Sequence, residues 1–189
     1  MRLAANTARR PAFWYNDLYH VPLPPNHRFP MQKYRRVRLA LQAELAQDDA
    51  LFTPSPLATH DELRTVHTHE YVASYVEGRL TVAQNRRVGF PWSQASVDRS
   101  LSSTGGTVAA ARAVCEKGVV FAGHLAGGTH HSFADRGEGF CVFNDIAVAA
   151  RVALRDYSST VSSVLIVDLD VHQGNGTASY TAHYKPPSK

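Results

Sequence analysis

The chain is poor in sulfur. Its 189 residues include two cysteines, Cys115 and Cys141, with no CxxC spacing. That excludes a disulfide framework and a cysteine zinc site, and it points to a reducing, intracellular compartment, nuclear or cytoplasmic. No apolar run approaches the ~18 residues of a membrane span, so no membrane role is expected. There is no GxSxG elbow, no Walker loop and no HExxH pair. "GEGFCV" at 137–142 breaks the GxGxxG pattern, and "HTHEY" at 67–71 reads as an ordinary helix start. Long runs of one charge are also missing. The formal charge of +4 is scattered, apart from "KYRRVR" at 33–38, so direct nucleic-acid binding is not expected. "MRLAANTARRP" is basic and acid-free but precedes no apolar h-region; it reads as a frayed terminus, with organelle targeting left open.

What is present suits one globular domain. Hydrophobic residues make up 44% of the chain, enough to bury a core. The prolines of "VPLPPNHRFP" at 21–30 exclude a helix interior. Residues 31–47 then read as an amphipathic helix with Tyr34, Val37, Leu41 and Leu45 on one face. Thr59 and Glu62 have capping-box spacing. A helix over "HEYVASYVEGRL" ends near Gly78, and residues 80–95 read as loop. A long helix runs from about Ser96 to Lys117. The Gly105-Gly106 pair inside it is costly unless the helix lies close against a sheet or breaks there. "VVFAG" at 119–123 is a short strand, Asn144 to about Asp156 a helix, and "SSVLIVDLDV" at 162–171 the next strand. Strand, loop, helix, strand is the pattern of a parallel α/β sheet.

The chemistry gathers at the strand ends. In an extended "VLIVDLDVHQGNGTA", Asp168, Asp170 and His172 share one face and Val167, Leu169 and Val171 the other. Ligands of open α/β sheets lie at the carboxyl ends of strands, where these acids fall. Two buried carboxylates two residues apart call for a cation, and Asp with His begins a zinc set. The plainer alternative is a buried acceptor at Asp168, with Asp170 and His172 capping a turn. A second constellation, "GGTHHSF" at 127–133, places His130 and His131 side by side, suited to general acid–base work on a metal-bound water. Asp168 and Asn175 are available to orient them.

"HLAGGTHHSFADRGEGFCVFND" and "VLIVDLDVHQGNGT" together resemble the zinc-dependent histone deacetylase family, in its arginase/deacetylase fold. The "DLDVHQGNG" form is most similar to the class IV branch and its bacterial relatives, as are "FPMQKY", "VHTHEYV" and "GFPWS". The resemblance implies an α/β fold of three layers, with a mostly parallel sheet between helices. It matches His130, with partner Asp168, to the first active-site histidine. His131 matches the second, the base and then acid, and its partner is Asn175 where many members carry a carboxylate. Asp170 and His172 match two of three ligands to one catalytic Zn2+. Backbone carbonyls of Asp168, Asp170 and His172 match a structural K+ site. Gly139 and Phe140 match the lining of an acyl-lysine tunnel, with Cys141 packed beside its floor.

The implied reaction is removal of acetyl groups from acyl-lysine in histones or other proteins, with regulatory complexes as further partners. The family's third zinc ligand and its oxyanion tyrosine come from later text than this chain holds. Residues 15–178 therefore correspond to the N-terminal part of one domain, C-terminally truncated, between an irregular tail at 1–14 and a divergent one at 179–189. A non-catalytic binding module and a deacetylase of small acetylated amines are the competing readings.

Overall fold

The computed structural model describes residues 11–45, 51–116, 119 and 121–181. The expected tail at 1–14 lies largely outside them, as does the end of the chain past Thr181. Among the described residues the sheet has three strands, β1 (Ala12–Tyr15), β2 (Phe52–Pro54) and β3 (Ala122–His124), in the order β2-β1-β3. All pairing is parallel, with Phe13 opposite both Phe52 and Gly123. Phe13 and Phe52 stack at 5.4 Å between ring centroids and close a small core with Leu51, against which Leu41 and Leu45 pack.

Helices flank this sheet. They are α1 (Lys33–Glu44), α2 (His60–Leu63), α3 (His69–Val76), α4 (Val82–Val88), α5 (Gln94–Cys115), α6 (Asp145–Asp156) and α7 (Asn175–Thr181). The α/β reading holds. So does the capping box, in which Thr59 Oγ1 accepts from Glu62 N while Glu62 Oε2 accepts from Thr59 N. The long helix α5 packs on α6, β1 and β3 and runs unbroken through its glycine pair. A Cβ on Gly105 would strike the backbone of Pro56 and Ala58, and one on Gly106 would strike His124 and Ser55. Close helix–sheet packing, not a break, is what the pair permits. The main core gathers Leu63, Val72, Tyr75, Val97 and Phe143 around α3 and α5. No helix among the described residues is long and apolar enough to cross a membrane.

Three expectations need correction. Residues 80–95 are not all loop, because α4 occupies 82–88 under its own capping box of Thr81 and Gln84. The face proposed for α1 is shallow: none of its residues is fully buried, and Val37 is exposed. The largest departure is 162–171, which joins no ladder among the described residues. Leu165, Val167, Leu169 and Val171 are 86%, 68%, 92% and 93% exposed, so the apolar run is not a buried central strand. Its hydrophobicity meets no neighbouring strand among the described residues, and a strand is defined by that pairing.

Candidate active site

The turn after β3 carries the adjacent histidines. Asp145, at the start of α6, fixes that turn by accepting from Gly128 N at 3.1 Å, Thr129 N at 2.7 Å and Thr129 Oγ1 at 2.5 Å. Thr107 Oγ1 on α5 donates to the same carboxylate at 2.5 Å and lies 2.9 Å from His124 Nδ1. Asn144 ties the loop to α6 and α7. Its Oδ1 caps α6 by accepting from Ala147 N, while its Nδ2 donates to Ser132 O at 3.2 Å and Thr177 Oγ1 at 3.0 Å. Thr177 N donates to His130 O at 3.0 Å, and a Cβ on Gly176 would meet the backbone of residues 130–132. The first turn of α7 is thus pressed against the histidine loop.

That contact brings together residues separated by about forty positions. His130 Nδ1 lies 2.7 Å from Asp168 Oδ2, and His131 Nδ1 lies 2.8 Å from Asn175 Oδ1. The rings are 4.2 Å apart between centroids. Asn175 Oδ1 also accepts from Gly176 N at 3.0 Å, which orients the amide with its oxygen toward His131. An amide oxygen only accepts, so Nδ1 of His131 donates to it. The same logic gives His130 an Nδ1–H donated to a carboxylate. That hydrogen bond, followed by the one from Asp170 N at 3.0 Å, holds the Asp168 carboxyl below the usual range.

Asp170 and His172 lie next to this pair but in the open, with side chains 50% and 72% exposed. Asp170 Oδ1 accepts from His172 N at 2.7 Å and stands 2.9 Å from His172 Nδ1. The backbone bond from His172 is the main reason the Asp170 carboxyl is held low. The His172 ring is 6.0 Å from that of His131. Oxygen and nitrogen donors at this spacing suit zinc, which in catalytic sites takes three protein ligands. No group of three such donors forms among the described residues, so the set they offer is incomplete.

The expected tunnel residues form a tight reversal. Glu138 and Cys141 exchange both backbone hydrogen bonds at 2.9 Å, and between them Gly139 and Phe140 have φ of +56° and +65°. Two positive φ values in succession make a type I′ turn, a conformation rare for phenylalanine. The turn is held by α4: Gly139 N donates to Arg87 O at 3.1 Å and Phe140 N to Val88 O at 2.8 Å. Phe140 packs against Phe29 and Phe90 at 5.2 and 5.3 Å, and Gly139 lies against the His131 ring. Cys141 is buried, its thiol pushed up to about 12 chiefly by desolvation, so it is a packing residue rather than a nucleophile.

Sequence reasoning missed several supports. His67 sits in text that reads as an ordinary helix start, yet it is 3% exposed and bridges Phe133 O and Asn144 N, both at 3.0 Å. His124, Thr107 and Asp145 carry no sequence signal as a set. Asn144-Asp145 does: Asn at an N-cap before an alanine-rich helix is a cap signature.

A family model described as the histone deacetylase domain matches residues 27–186. An uncharacterised protein of Picosynechococcus sp. is 42% identical over 165 residues, covering 87% of this chain and 53% of its own length. The acetoin utilization protein AcuC of Bacillus subtilis is 30% identical over 177 residues, covering 89% and 45%. The crystal structure of a histone deacetylase homologue from Aquifex aeolicus superposes with TM-score 0.73 at 27% identity, covering 90% of this chain and 47% of that one. The chain thus spans about half the length of the relatives it matches. The family match takes in the paired histidines, their partners and the Gly139–Phe140 turn alike, and the chain belongs to the histone deacetylase family of hydrolases.

Proposed function

We propose that these residues form the acid–base half of a zinc-dependent deacetylase acting on acyl-lysine. The carrying observation is the pair of adjacent imidazoles, each with Nδ1 hydrogen-bonded to an oxygen and Nε2 left to act. His131, beside the open face of Asp170 and His172, takes the proton of the attacking water and returns one to the leaving amine. His130, backed by Asp168, supports charge beside it. Phe140 and Gly139 line the approach of an aliphatic side chain. Asp170 and His172 would hold zinc, which when bound polarises the acyl carbonyl and lowers the pKa of water. A third donor must come from outside the described residues, and a structural K+ on the carbonyls of Asp168, Asp170 and His172 belongs to the same proposal. Bacterial relatives named for acetoin utilization support small acetylated or non-histone substrates as readily as chromatin.

The incomplete donor set favours a second reading, in which this chain alone binds a partner without turnover. Deacetylation of a fluorogenic acetyl-lysine peptide by the purified chain separates the two. Turnover lost with a zinc chelator and in His131→Ala supports the enzyme. A folded chain with no turnover and no chelatable zinc sinks it for these 189 residues.

A further inference from the structure

Away from the histidine loop, a second polar site opens where β1 ends. Asn16 is 1% exposed, and neither its Nδ2 nor its Oδ1 has a hydrogen-bond partner among the described residues. A buried amide unmet at both ends is rare and costly. Arg99 of α5 lines the same cavity and is 6% exposed. Its Nε donates to Met31 Sδ at 3.2 Å, the guanidinium lies over the Tyr34 ring at 4.5 Å and meets its hydroxyl, and the Lys33 ammonium over the same ring adds positive charge rather than a counter-ion. No carboxylate pairs with Arg99 among the described residues. Asp17, the acid on the lining, is already held by Arg38 through two bonds of 2.8 Å. Arg35 adds a further positive charge. A buried cation without a counter-ion calls for an anion.

The cavity measures about 30 Å³. A water needs roughly 10–15 Å³ on this scale, so the space suits a planar ion of three or four heavy atoms. We propose that it is a bicarbonate site. Arg99 and the Asn16 Nδ2 would donate to the two oxyanion positions, and the bicarbonate O–H would donate to Asn16 Oδ1. Nitrate, chloride and acetate neutralise Arg99 but bring no donor for that oxygen. Water brings a donor but no charge.

The test titrates the whole chain at pH 8 and constant ionic strength with 13C-labelled bicarbonate, monitoring NMR line broadening and the thermal midpoint. Parallel arms use nitrate, acetate and chloride. The expected result is saturable broadening, and a rise in midpoint larger for bicarbonate than for any other anion. Asn16→Asp, equal in size but anionic, and Arg99→Gln should each weaken binding tenfold or more, while the surface change Arg64→Gln should not. Equal shifts with every anion mean an unspecific counter-ion, and no broadening means a water-filled cavity; either overturns the proposal. Should the variants fail to fold, the anion series on the unaltered chain still decides.

Discussion

His67 is held neutral in the folded chain. Burial pulls its pKa from 6.5 to about 4, against the raising effect of its backbone bonds at Phe133 and Ala134. Asn144 N donates to Nε2, so Nδ1 must donate to Phe133 O, and a second proton has no place to go. The unfolded chain binds that proton below 6.5 and the folded chain only below about 4. Stability from this residue is therefore complete above pH 6.5 and is lost as pH falls toward 4, by about 3 kcal/mol in all. His124, also lowered to about 4 mainly by burial, acts in the same direction. Urea midpoints measured between pH 4 and 7 should fall steeply on the acid side. His67→Leu should start lower, since it orphans a buried amide and a carbonyl, and show a shallower slope. Equal slopes in the two proteins would mean that His67 is not the acid-sensitive group.

At the scale of elements, what was legible in the sequence rested on local chemistry. The Thr59–Glu62 box and the α6 start at Asn144 could be read because each depends on neighbours in sequence, whereas the α5 glycine pair left a close contact and a break equally open, because what it meets, Pro56 and Ala58, lies almost fifty positions away. The α4 helix has the same Thr-x-x-Gln signal at 81–84 but is hidden by short length and a polar composition. The sequence offered Asn175 as one of two groups able to orient the paired histidines, but its assignment to His131 came only through family resemblance, because it rests on α7 docking against a loop 44 residues away. The α5 glycines give a test at this scale. Propensity alone says that Gly105→Ala stabilises a helix interior by about 1 kcal/mol. The contact with Pro56 and Ala58 backbone says otherwise, because backbone cannot step aside as a side-chain tip can. Overpacking of this kind costs about 1–3 kcal/mol, so the expected net result is a melting point several degrees lower. A rise in melting point would show that α5 stands further from the 56–58 segment than such a clash requires.

For the molecule as a whole, the 162–171 segment is where pattern and structure part. Its period of two predicts Asp168, Asp170 and His172 on one face; the structure sets Asp168 beside His130, while Asp170 Oδ1 accepts from His172 N as a turn cap does. The pattern could not supply a partner strand, because pairing is a property of the sheet. Leu165, Val167, Leu169 and Val171 consequently form an exposed apolar row on an extended, unladdered backbone. Such a row buries itself against whatever apolar surface or unpaired backbone is at hand, another copy included. The purified chain should therefore associate as its concentration rises, seen as a growing weight-average mass by light scattering. Leu169→Lys with Val171→Lys should suppress that association. Both side chains are more than nine-tenths exposed, so the cost to folding should stay within about 0.5 kcal/mol per site. If the double variant instead unfolds, the row is packed in solution; if it associates as before, the contact surface lies elsewhere on the molecule.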